Sequence, residues 1–168
     1  MEHNDSPWLD DAEYMAIVGE FLALPEIKRL DTITHHYTST RLQHSLRVSY
    51  RSYRITKKFG WNSTSTARAG LFHDLFYYDW RKKKYSRRHA YIHPRIAYRN
   101  ARKLTTISPL EKDIIIKHMW GLTLAFPRYK ESYVVSLVDD EVAFIEWKNS
   151  VKYKWTHRKH LRHATENG

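Results

Sequence analysis

Apolar residues recur along this chain at intervals of three and four, and strictly alternating apolar-polar runs of useful length are hard to find. That is the periodicity of helices, not strands. A first helix is predicted over residues 10–24, with Tyr14, Ile17, Val18, Phe21 and Leu22 at helical intervals, an acidic first turn, and Pro25 behind it as a breaker. A second is predicted over 38–59, ended by Gly60, with Leu42, Leu46, Val48, Tyr53, Ile55 and Phe59 in one broad apolar arc. His44 sits at the edge of that arc, and Arg47, Arg51, Arg54 and Lys58 line up as a basic stripe beside it.

Residues 62–66 supply capping side chains for a third helix, and 67–78 is apolar almost all round, so this helix is expected to be central and buried. The basic stretch 79–88 reads as a loop. Pro94 suits the first turn of a fourth helix, with His93 at its entry and Ile96, Ala97, Asn100, Ala101 and Leu104 facing one way. Ser108-Pro109-Leu110-Glu111 is a capping box with proline at the first helical position, and Leu110, Ile114 and His118 then share one face. A sixth helix is predicted over about 129–147, and the basic residues 148–168 either extend it or fray. The pattern is that of an all-α, single-domain bundle of six to seven helices: an N-terminal helix and connector (1–37), the main helical domain (38–147) and a basic C-terminal extension (148–168).

Composition narrows the chemistry. There is no cysteine in 168 residues, so a metal would have to sit on histidine and carboxylate ligands. A formal charge of +11 implies attraction to polyanions such as nucleotides, nucleic acid or anionic surfaces. Of eleven histidines, His3, His157, His160 and His163 lie near polar termini and read as solvated. No apolar run approaches a membrane span and the acidic start is unlike a secretory signal, so the chain is expected in the cytoplasm.

The pair His73-Asp74 inside the most apolar segment is the most informative feature. A buried carboxylate without a partner costs several kcal/mol. Either a salt bridge, for instance to Arg68, or a divalent cation has to compensate it. Imidazole and carboxylate together suit manganese, iron, zinc, nickel or magnesium, and bundles present such ligands inward from several helices. His44, His93 and His118 each occur at or beside an inward face, and Asp139 interrupts the apolar sixth helix.

In order, His44, His73-Asp74 and Asp139 resemble the HD-domain phosphohydrolase superfamily. Gln43-His44-Ser45-Leu46-Arg47-Val48 looks like its first-histidine helix. Ala69-Gly70-Leu71-Phe72-His73-Asp74-Leu75-Phe76 looks like its central motif, and Val135-Ser136-Leu137-Val138-Asp139-Asp140-Glu141-Val142 like its last-ligand helix. His93-Pro94 and Lys117-His118-Met119-Trp120 are similar to the extra histidines of its two-metal branches. Two departures stand out: Asp140 follows Asp139 where the family usually has lysine, and the adjacent histidines and Gly-Tyr-Pro loop of the cyclic-dinucleotide branch are absent.

The resemblance spans about 38–147 and implies an HD-type helical bundle holding two divalent ions (Fe, Mn, Zn, Ni, Co or Mg) on His44, His73, Asp74, His93, His118 and Asp139. It implies hydrolysis of a phosphate ester or anhydride by a metal-activated water, with Asp74 as bridging ligand or proton acceptor. Composition alone adds Arg47 as a second catalytic candidate, and Arg47, Lys82, Lys83, Lys84 and Arg88 as groups to neutralise the substrate. A nucleotide or dinucleoside polyphosphate is the expected substrate. The rival expectation is a nucleic-acid-binding or regulatory protein that keeps the fold without catalysis.

Overall fold

The structure, a computed structural model, describes residues 6–36, 39–78 and 88–166. A 3-10 turn at Pro7–Asp10 leads into α1 (Ala12–Leu22), which Asp11 caps by accepting from the Tyr14 amide at 3.0 Å. After Pro25 the chain makes a single-turn helix α2 (Pro25–Lys28), a 3-10 turn (Arg29–Thr32) and a small antiparallel hairpin of β1 (Thr34–His36) and β2 (Ser39–Thr40). Then come α3 (Arg41–Lys58), α4 (Ser63–Phe72), α5 (His89–Leu104), α6 (Pro109–Lys117), the single-turn α7 (Trp120–Thr123) and the long α8 (Lys130–Glu166). The predicted all-α class holds. Among the described residues there are eight helices, the two single-turn ones being additions to the expected set, and the hairpin is the one sheet.

Several boundaries differ from the periodicity, each for a local reason. Helix α3 starts at Arg41 rather than near 38 because Thr40 and Gln43 form a reciprocal capping box, with bonds of 3.2 and 3.1 Å between each side chain and the other's amide. Helix α4 stops at Phe72, so His73 and Asp74 lie in the turn after it and not inside a helix running to 78. The irregular segment that follows is held by side chains: Asn100 donates to the Leu75 carbonyl at 2.9 Å, and Arg41 to those of Phe76 and Tyr78 at 2.6 and 3.3 Å. Helix α5 begins at His89, five residues before Pro94, because the amides of Tyr91 and Ile92 already bond to the Arg88 carbonyl. Pro94 therefore sits within the helix. The capping box of α6 is present as predicted, and α8 runs on without a break through the basic extension.

Helix α4 is the centre of the packing, in contact with α1, α3, α5, α6 and α8. Its approach to α3 is unusually close. A Cβ at Gly70 would lie 2.8 Å from the Ser49 Cα, so only glycine is tolerated there. Ser49 also donates to the Ala67 carbonyl at 2.6 Å and accepts from the Tyr14 hydroxyl at 2.8 Å, tying α1, α3 and α4 together. Phe21 against Phe72, with Leu71, Ile114, Val135, Val138 and Val142, completes the apolar core around this crossing. Asp113 on α6 accepts from the Arg128 amide and the Ser132 hydroxyl, each at 2.8 Å, and pairs with Lys117 at 2.7 Å, which fixes where α8 begins. No helix among the described residues is long and apolar enough to cross a membrane.

Candidate metal centre

The core converges on a cluster of imidazoles and carboxylates drawn from five helical regions. The inward face of α3 supplies His44, the residue capping α4 is His73, and the turn beyond it holds Asp74. His93 comes from α5, His118 from the C-terminal cap of α6, and Asp139 from α8. All six are buried. The tight α3–α4 crossing at Gly70 brings the rings of His44 and His73 to a centroid separation of 5.5 Å. Three overlapping groups could hold a metal ion, each with donor atoms within 4.8 Å of one another: His44, His73 and Asp139; Asp74, His93 and His118; and His35, His44 and Asp74.

Backbone carbonyls decide which nitrogen of each ring faces the cluster. The Nδ1 atoms of His73, His93 and His118 lie 2.7, 2.9 and 2.9 Å from the carbonyls of Gly70, His89 and Ile115. A carbonyl only accepts, so each Nδ1 carries the proton and donates it. In the neutral ring each Nε2 is then a lone pair pointed inward. His93 Nε2 and His118 Nε2 are 2.9 Å apart, and His73 Nε2 is buried with no hydrogen-bond partner, 3.5 Å from Asp139. Lone pairs so close together repel unless a proton or a cation stands between them.

Electrostatics separates those two possibilities. Burial, reinforced by the neighbouring His93 and His73, pushes His118 down to about 3, and burial lowers His93 as well. A proton between these two rings is therefore disfavoured at neutral pH. Asp74 behaves oppositely: burial raises it, but His73, His93, His35 and His118 outweigh that and hold it well below the usual carboxylate range. Asp139 is likewise held ionised, against burial, by His73 and His44. For His44 burial favours the neutral ring, yet hydrogen bonds to Asp139 at 2.9 Å and Glu146 at 3.1 Å raise it to about 10. For His73, too, burial favours the neutral ring, but Asp139 and Asp74 outweigh it and raise its value. Ionised Asp74 and Asp139 beside the neutral, inward-facing rings of His93 and His118 are a donor set that fits a divalent cation, which His44 and His73 would join on releasing a proton.

Four residues join the site without a signal of their own in the helical pattern. Glu146, two turns beyond Asp139 on the buried face of α8, accepts from His44 Nδ1 and pairs with Arg47 at 2.8 Å. A carboxylate behind an imidazole is the usual outer support of a metal ligand. Its signal was the seven-residue spacing from Asp139 within an apolar stripe. His35, carried in by the hairpin, stacks on His44 at 4.0 Å, and His89 stacks on His93 at 4.6 Å. Both outer rings are only partly buried and mark the solvent side of the cluster. Arg41 is fully buried, its guanidinium 3.7 Å from the Phe76 ring centroid. Nothing in a helix-starting arginine announces that.

The expected basic groups fare differently from one another. Arg68, the candidate salt-bridge partner of Asp74, pairs instead with Glu111 at 2.7 Å. Arg47 and Arg51 pair with Glu146 and Glu141 on α8, at 2.8 and 2.7 Å, and line a cavity of about 710 Å³ between α3, α8 and the N-terminal turn. Arg88 is exposed, just before α5. Lys82, Lys83 and Lys84 lie outside the described residues.

No curated protein and no solved structure matches the chain. The family described as HD domain matches residues 41–141, a span that contains His44, His73, Asp74, His93, His118 and Asp139. With that match across more than half its length, the chain belongs to the HD domain family.

Proposed function

We propose that this chain is a metal-dependent phosphohydrolase that cleaves a phosphate ester or anhydride, with a nucleotide or dinucleoside polyphosphate as substrate. The observation that carries the reading is the pair of inward-facing Nε2 atoms of His93 and His118, 2.9 Å apart beside an ionised Asp74. His44, His73 and Asp139 would hold one ion and His93 and His118 a second, with Asp74 shared between them. When bound, such ions supply positive charge that polarises a phosphoryl oxygen and makes a water molecule more acidic.

The protein's own groups account for the rest. The Gly70, His89 and Ile115 carbonyls fix the tautomers and ring orientations of His73, His93 and His118, so the donor set is organised before any ligand arrives. Glu146 orients His44, and Arg47 acts through Glu146, balancing its charge, rather than by touching the substrate. Burial of the cluster excludes bulk water and strengthens every charge interaction inside it. The Asp74 carboxylate, ionised in this setting, is the group placed to accept a proton from the attacking water. His35 and His89, on the solvent side, are positioned to meet the substrate's phosphate oxygens, and His35 adds a seventh donor to the set. Arg88 and the lysines Lys82, Lys83 and Lys84 belong to the segment that joins the Asp74 turn to α5, and supply cationic charge for a polyphosphate.

The test is a panel of nucleotides, dinucleoside polyphosphates and simple phosphate monoesters, assayed with manganese, iron, cobalt or magnesium. Metal-dependent phosphate release from one class supports the reading; inactivity of metal-loaded protein on every class would overturn it.

A further inference from the structure

Helix α8 does two unrelated things along its length. One face, with Val135, Val138, Val142 and Glu146, is buried against the bundle. On the opposite face Leu137, Phe144, Trp147, Val151 and Trp155 form a second apolar stripe, each residue between 48 % and 60 % exposed. Leu137, Phe144 and Val151 are spaced by seven, with Trp147 between the last two and Trp155 one turn beyond, which is the seam spacing of helices that pack on another helix. At about 1.5 Å per residue the stripe is roughly 27 Å long, and contiguous apolar patches of that extent are rare on monomeric surfaces.

The charges beside the stripe say what covers it. Asp140 stands two turns before Trp147 and Lys154 two turns after it, both exposed. The complement of each half is thus the other half of the same stripe. A surface that is its own complement after a two-fold rotation is the requirement for an isologous interface between identical copies. A parallel pair would instead set acids on acids and lysines on lysines.

We propose that two copies of this chain associate through the exposed stripe of α8, antiparallel and crossing near Trp147. The aromatic residues Phe144 and Trp147 form the buried centre, and Asp140 of one copy faces Lys154 of its partner. The basic extension thereby becomes part of an assembly surface instead of a solvated tail.

The test uses the full chain. Sedimentation or light scattering at micromolar concentration is expected to give twice the 20.2 kDa of one chain. Phe144→Glu and Trp147→Glu, at exposed positions where the fold should be unaffected, should each raise the dissociation constant roughly thirtyfold or more, as loss of an interface anchor does. Circular dichroism and metal content should not change. Because the chain has no cysteine, orientation can be read by crosslinking: Trp147→Cys should form an intermolecular disulfide, and Leu137→Cys should not, its two copies lying about 30 Å apart in the antiparallel pair. A monomer at all concentrations, a dimer indifferent to both glutamates, or efficient crosslinking through Leu137→Cys would overturn the proposal.

Discussion

His93 and His118 point their Nε2 atoms at each other across 2.9 Å, while both Nδ1–H groups are committed to backbone carbonyls. Two neutral imidazoles in that arrangement destabilise the fold unless something positive lies between them. Loading with a divalent metal should therefore raise the melting temperature, by an amount equivalent to about 2.7 kcal/mol at a hundred times the dissociation constant, and a chelator should reverse it. His118→Ala removes one lone pair, so it should lose the part of this shift that the second ion contributes and keep the part due to the first. Differential scanning calorimetry with and without metal checks both statements.

Glu146 has no place in the family motif, yet it accepts from His44 and pairs with Arg47. Glu146→Gln keeps the volume and removes the charge. Metal affinity should fall by about 10–100-fold, as it does when the outer support of a ligand is lost, while helicity is kept. Calorimetric titration with manganese or zinc measures the change; an unaltered affinity would reduce Glu146 to a structural partner of Arg47.

His35 arrives from the hairpin and not from the bundle, so its removal should spare the core. His35→Ala is expected to leave thermal stability of the metal-free protein within about 0.5 kcal/mol, as for other substitutions near the surface, but to weaken binding of one ion. The absorption spectrum of cobalt-loaded protein should change in band position between wild type and variant, a response that simple loss of packing would not produce.

Asp113 gives the fold an acid-sensitive joint. Burial raises its carboxyl, but Lys117, the Arg128 amide and the Ser132 hydroxyl outweigh this, and its folded value lies below the unfolded one. A depressed carboxylate contributes stability that is fully present above the unfolded value, near pH 4, and is lost as pH falls through the folded value. Asp113→Asn should cost about 1–3 kcal/mol at neutral pH. It should also flatten the loss of stability below pH 4, as read from urea unfolding across a pH series.

How much of this was visible in the sequence depends on whether a residue's role was set locally. That His44, His73-Asp74, His93, His118 and Asp139 share one interior was legible because each lies at or just beyond the inward side of a helical segment, in family order. The Ser108–Glu111 capping box was legible for the same local reason. The end of α4 was not, because the apolar pattern continues to Tyr78, and what stops the helix is tertiary: Arg41 and Asn100 claim the carbonyls of the segment beyond. The start of α5 was misplaced because proline preference pointed to Pro94 as the first turn, whereas the Arg88 carbonyl starts the helix earlier. His35 depended on a hairpin too short to leave a periodic signal. Glu146 looked like an ordinary charge on a helix until the fold placed it behind His44.

On the proposed function, the buried cluster binds metal and hydrolyses phosphate with it. The direct measurement is bound metal per chain by elemental analysis, taken together with phosphate release from the best substrate, for wild type and His73→Ala after chelation and reloading. Two ions per wild-type chain, activity only in the reloaded protein, and loss of at least one ion and of nearly all activity in a still-helical His73→Ala are the results expected. Wild-type protein that takes up no metal at saturation, or undiminished hydrolysis by metal-stripped His73→Ala, would contradict the account.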